Sequence, residues 1–211
     1  MNSSNPFFKS PAVDSSNPAA FDYIGWREQF ISAVLRIACV LGAALIAVSF
    51  PTASVTDRVL FPVLYIVLLS ITVLKTPYSV RAATLLFMVY IIATNSILSW
   101  GPWIDGSVFF IAFIILSSLL FDKRIDLIAL LVSILTFASI ATLQQLGIYK
   151  FAAAGVPVTT IVDWATYVID FSIISAILLV AINQFKKALT RVIQEMQNAF
   201  SALTIERERL E

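Results

Sequence analysis

Six stretches of the chain are almost free of charge and long enough to cross a bilayer: 30–50, 59–74, 82–100, 104–121, 125–146 and 160 to about 184. A spanning helix needs roughly 20 apolar residues, with a range of about 17–25. The second stretch is the shortest, but Arg58 and Lys75 flank it and can snorkel at its two ends. Barrel strands would alternate apolar and polar positions over about ten residues. These runs are apolar all round, so the pattern predicts an all-α membrane protein with six transmembrane helices.

The breaks between the runs carry turn chemistry. Pro51 and a short polar stretch follow the first run, and Gly101-Pro102-Trp103-Ile104-Asp105-Gly106 opens the fourth. Asp122-Lys123-Arg124 separates the fourth from the fifth. Residues 1–20 are rich in Ser, Asn, Pro and Ala, with no apolar core and no basic lead, which predicts a flexible tail and no secretory signal. Phe21 to Gln29, with Tyr23, Trp26 and Arg27, reads as an interfacial lead-in to the first span. The membrane domain is therefore placed at 21–184.

From Ile182 the pattern changes. Ile182, Leu189, Met196, Leu203 and Leu210 recur every seven residues, and Phe185, Val192 and Ala199 fill the companion position until Glu206 interrupts it. Apolar a and d positions sustained over about four heptads predict a parallel two-stranded coiled coil over 185–211, and hence a homodimer. The last residues, Ile-Glu-Arg-Glu-Arg-Leu-Glu, are too acidic for strong attraction to an anionic bilayer surface. No helix stop signal closes this run, which leads to the expectation that an output domain continues it.

Lysine and arginine collect on one side of the predicted bundle. Lys9, Arg27, Lys75, Arg81, Lys123, Arg124, Lys186, Lys187 and Arg191 fall on one side, against Arg58 and Lys150 on the other. Short cytoplasmic loops carry the positive charge. The expected topology is therefore a multi-pass membrane protein with both termini in the cytoplasm.

Composition narrows the function. Hydrophobic residues make up 59% and charged residues 13%, with a formal charge of +1, which gives no footprint for nucleic acid. There is no histidine, and Cys39 is the single cysteine. His-ligated haem, His-containing zinc sites and Ser-His-Asp catalysis are thereby absent, no phosphate-binding loop appears, and no cofactor is implied. Cys39 sits in an apolar run and reads as a buried thiol.

Polar residues within the spans are expensive and mark function or packing. Asp170 is foremost, about ten residues into the sixth span. Asp163, Trp164 and Tyr167 precede it and form a polar and aromatic strip toward the outer surface. Asp170 is either a sensing group or interhelical glue. Asn95, Trp100, Trp103 and Gln145 are expected at the outer rim, where Trp100, Trp103 and Trp164 would also serve as an aromatic belt. Arg36, two turns into the first span, either snorkels or finds an internal acid. Asp126 and Asp170 are the candidates, and depth favours an Arg36–Asp126 ion pair. Ser133, Thr136, Ser139, Thr142 and Gln145 step along the fifth span in a ladder suited to helix packing.

The spans, the short loops, the phrase Leu-Leu-Phe-Asp-Lys-Arg-Ile-Asp-Leu at 119–127 and the heptad run together resemble the N-terminal six-span sensory modules of bacterial membrane histidine kinases and related receptors. The resemblance implies a homodimer whose exit helices feed a PAS, GAF or kinase domain, with the catalytic residues beyond Glu211. It names no ligand; a small apolar or lipid-like one suits the sixteen Phe. Two other functions stay open: a small transporter built of two inverted three-span halves, and a dimerising anchor that senses nothing.

Overall fold

The computed structural model describes residues 23–51, 53–74, 76–103, 106–121, 124–151 and 159–210. The expected tail at 1–20 lies outside them. Among the described residues there are six α-helices: α1 (Tyr23–Ser49), α2 (Val55–Val73), α3 (Tyr78–Trp100), α4 (Gly106–Leu120), α5 (Ile125–Gln145) and α6 (Ile161–Leu210). A single 3₁₀ turn, Gly101–Trp103, follows α3, and there is no strand among the described residues. Five of the six helices are long and apolar enough to cross a membrane; α4, with 15 residues, is shorter. The lead-in that the sequence placed on the membrane surface is, from Tyr23 onward, the first part of α1 itself.

The helix ends follow from local chemistry. Ser54 caps α2: its hydroxyl accepts from the Asp57 N–H at 3.1 Å and donates to the Asp57 carboxylate at 2.7 Å. Satisfying these first-turn donors matters most where water is scarce. Thr160 and Asp163 do the same for α6, where the Asp163 carboxylate takes both the Thr160 N–H and its hydroxyl, each at 2.7 Å. This is a reciprocal capping box. Gly101 ends α3 with φ 71°, a conformation in which a side chain is strained, and Arg124 holds φ 37° before α5.

Residues 24–185 form one compact unit. It has two apolar cores that share α3 and α4. One core joins α3, α4, α5 and α6 through Ile97, Phe110, Ile114, Phe137, Trp164 and Phe171. The other joins α1, α2, α3 and the end of α4 through Ile31, Leu35, Leu68, Leu85, Met88 and Leu120. Between apolar helices in lipid, close packing rather than water exclusion supplies the attraction. Gly106 shows how close: a Cβ there would meet the Ile97 side chain at 2.5 Å.

The second unit takes in the chain from Lys186 onward. Its described part is the distal stretch of α6, where Leu189, Val192, Met196 and Ala199 are exposed. The side chains of Leu203 and Leu210 lie outside the described part.

Candidate functional site

The two ends of the 24–185 unit are closed by different chemistry. At one end, α4 terminates with the Leu120 carbonyl, one of the groups that no intrahelical donor reaches. Arg27 of α1 and Tyr78 of α3 both donate to it, Tyr78 at 2.7 Å. The Arg27 guanidinium also lies 5.5 Å from the centre of the Tyr78 ring. A cation at a helix C-terminus is favoured by the backbone dipoles as well. Arg81 reaches the Thr76 carbonyl at 2.9 Å and the Ser32 hydroxyl at 3.3 Å. The basic residues that set the charge asymmetry therefore also tie α1, α3 and α4 together.

At the other end the closure is aromatic. Trp164 is only 2% exposed, and its indole N–H donates to the Gln144 side-chain oxygen at 2.5 Å. The amide of Gln144 in turn donates to the hydroxyl of Thr159, which is itself buried. Phe151 lies 6.4 Å from Trp164 and against Gly101, where any Cβ would come within 2.8 Å of its ring. Tyr149 donates to the Leu98 carbonyl at 2.8 Å, and burial pushes its phenol above the ordinary tyrosine range. The rest of the 147–159 connection, at 152–158, lies outside the described residues.

Below this lid runs a column of rings in edge-to-face contact. Trp164 meets Tyr167 at 6.1 Å, Tyr167 meets Phe137 at 5.2 Å, and Phe137 meets Phe110 at 4.7 Å and Phe171 at 4.8 Å. Tyr90 extends it to α3, 5.9 Å from Phe110. Such pairs add about 0.5–1.5 kcal/mol each beyond burial. The column ties α6 to α3, α4 and α5, so a shift of α6 must break or slide these contacts. The Tyr167 hydroxyl is buried inside it and lacks a hydrogen bond of normal geometry.

Two clefts open on the sides of the unit. One, of about 140 Å³ between α1, α2 and α3, is almost wholly apolar, with Gly42, Leu45, Phe61, Tyr65 and Met88 among its walls. The other, of about 320 Å³ between α3 and α5, is lined by Tyr90, Thr94, Thr136 and Ser139 together with Val132, Leu135 and Ile140. Tyr90 and Thr136 share a hydrogen bond at 2.8 Å there, while the Thr94 hydroxyl is buried without one.

The residues singled out by sequence are dispersed among these features. Trp164 and Tyr167 belong to the ring column. Trp164 is therefore core, not part of a lipid-facing belt, because its N–H finds Gln144 inside. Trp100 is 43% exposed, and the Trp103 side chain lies outside the described part. Asn95 does not meet Gln145; it donates to the Asp57 carboxylate at 2.8 Å and fastens α3 to the start of α2. Gln145 is exposed, with one long contact of 3.4 Å to the Thr159 carbonyl. Asp163 is committed to its capping box, and Asp170 is exposed on α6 and does not join the column.

The Arg36–Asp126 pair does not form. Asp126 is buried in the first turn of α5, where it accepts from its neighbour's Leu127 N–H at 2.9 Å and from Ser118 at 3.5 Å. Arg36 is exposed, and nine residues of helix, about 13–14 Å at 1.5 Å per residue, separate it from Arg27 at the Leu120 end. The acid is at the end of the bundle and the base is well inside. Cys39 is half-buried, its sulfur 3.4 Å from the Thr72 hydroxyl.

Gln144 is the polar residue that sequence reasoning missed. The buried positions of α5, Ala129, Ser133, Phe137 and Ile140, step by four, four and three. Four more residues reach Gln144, whereas Gln145 is turned about 100° away. That phase was the available signal.

Neither the curated proteins nor the solved structures include a match to the chain. A family profile does match, over residues 25–189, a span that takes in every helix of the membrane unit. The chain thus belongs to the MASE11 family, a family of membrane-associated sensor domains.

Proposed function

We propose that this chain is the input module of a dimeric signalling receptor in a bacterial inner membrane, with both termini in the cytoplasm. In this account α6 is the moving part. Its membrane half carries Trp164, Tyr167 and Phe171 in the ring column, and its distal half carries the heptad stripe to an output domain such as a histidine kinase. A ligand or a membrane change that reshapes the column or the side clefts shifts α6, and the paired exit helices pass on the shift. Membrane lipid or a small apolar molecule is the stimulus that the apolar α1–α2–α3 cleft suits.

The carrying observation is the exposure of Phe185, Leu189, Val192 and Met196, 66%, 43%, 50% and 56%, at coiled-coil spacing on α6. Four large apolar side chains in one register are costly to leave in water. A second exit helix covers them by knobs-into-holes packing. Single cysteines placed along 185–199 in a Cys39→Ala background test the pairing in native membranes. Symmetric crosslinks should peak at 185, 189, 192 and 196 and fall at 187, 190 and 194. A flat profile, or no crosslinks at all, overturns the dimeric exit helix.

A further inference from the structure

Arg36 on α1 and Asp170 on α6 are both exposed, and neither side chain makes a hydrogen bond or ion pair with another described residue. Both lie well inside helices that are long and apolar enough to cross a membrane. Arg27, bonded to Leu120, marks one end of the bundle, and Arg36 lies nine residues, about 13–14 Å, inward from it. Asp170 lies nine residues, about 13–14 Å, inward from Ile161 at the opposite end. The hydrocarbon core is about 30 Å thick, so a base entering from one side and an acid entering from the other arrive at nearly one level.

An aspartate facing lipid at that level is expensive, and its side chain is too short to reach the headgroups. Within one chain the two groups are not paired. The surroundings suit helix contact: Ala33 and Ala43 are exposed on the Arg36 side of α1, and Ala165 and Thr166 are exposed on α6 close to Asp170. Small residues let helices approach closely in lipid.

We infer that Arg36 of one subunit pairs with Asp170 of the partner subunit near the bilayer midplane. A two-fold axis repeats the contact, because in an isologous dimer residue i meets j and j meets i. Each dimer then holds two Arg–carboxylate pairs, a geometry that guanidinium and carboxylate fill with two parallel hydrogen bonds. This contact rests on the dimeric account above and locates its membrane half: it joins the α6 of one subunit to the α1 of the other.

Charge exchange between chains tests it. The full chain is expressed in membranes as Arg36→Glu and as Asp170→Arg, singly and together, with two different tags. Either single variant alone should lose at least tenfold in dimer yield at low protein-to-lipid ratio, because like charges then face each other twice. Co-expression of the two single variants should restore the mixed dimer, since both contacts are again Glu–Arg and Asp–Arg. As a variant that spares the charge balance of each helix less severely, Arg36→Cys and Asp170→Cys chains in the Cys39→Ala background should give a mixed 36–170 disulfide several-fold above either same-site product. Rescue within the doubly changed chain but never between chains would overturn the proposal in favour of an internal pair. A dominant 170–170 disulfide would overturn it in favour of facing carboxyls. Unaffected dimers that still crosslink at 189 and 196 would remove the midplane contact and leave the dimeric account standing; a monomer under every condition would remove both.

Discussion

Removing the Trp164 indole N–H should destabilise the aromatic end of the bundle in a way that depends on Gln144. Trp164→Phe keeps an aromatic ring in a site that is 2% exposed, but it vacates part of the indole volume, at about 1–2 kcal/mol. It also leaves the Gln144 oxygen, 2.5 Å from that nitrogen, without its donor. An unsatisfied buried group costs about 1–3 kcal/mol, and interhelical hydrogen bonds in membranes measure about 0.6–1.7 kcal/mol. The single change should therefore cost about 2–4 kcal/mol. Gln144→Leu should cost about 1–3 kcal/mol, since it strands both the Trp164 N–H and the Thr159 hydroxyl. In the double variant the Trp164–Gln144 bond is lost only once. Its cost should fall short of the sum by about 1 kcal/mol, read by reversible detergent unfolding of the purified protein followed by tryptophan-independent circular dichroism. Gln145→Leu, at an exposed neighbour, should stay within about 0.5 kcal/mol of the parent. Strict additivity, or an equal loss at Gln145, would refute the assigned bond.

Gly101→Ala should destabilise by about 1–3 kcal/mol in the same assay, because φ is 71° and the new Cβ would press on the Phe151 ring; Phe151→Ala should relieve only the crowding part. Tyr78→Phe should cost about 1 kcal/mol and Arg27→Gln at least as much, since each donates to the Leu120 carbonyl, with hydrogen exchange rising first at the end of α4. Impermeant thiol reagents added to intact cells should label Pro102→Cys and Lys150→Cys but not Ser79→Cys or Arg124→Cys, in a Cys39→Ala background; the reverse pattern would contradict the charge-based orientation.

Much of the architecture was legible because a bilayer simplifies the code. Long apolar runs between charged or Gly/Pro breaks gave all six helices, and their ends moved by only a few residues. The exception was Tyr23 onward, where Trp26 and Arg27 suggested a surface segment and the helix simply begins earlier. The site was less legible, since hydrophobicity that is uniform around a helix hides which face packs. Trp164 looked like an interfacial residue by depth alone; only the position of Gln144 on the neighbouring helix makes its burial favourable. Asn95 was recognised as a polar residue near the outer end, but its partner, Asp57, stands 38 residues away. The Arg36–Asp126 expectation failed through an error of depth. Asp126 opens α5 at the end of the bundle, and Arg36 is more than two turns inside.

The central claim, that α6 carries a signal from the membrane unit through paired exit helices, is tested most directly by helical phase. A reporter kinase or cyclase domain is joined after Glu211, and one to seven residues of helix-forming sequence are inserted after Ala188. The account predicts an output that swings between active and inactive with the insertion length and returns to the parent level at seven residues, where the heptad seam is restored. An output indifferent to insertion length would contradict it and reduce the chain to a membrane anchor.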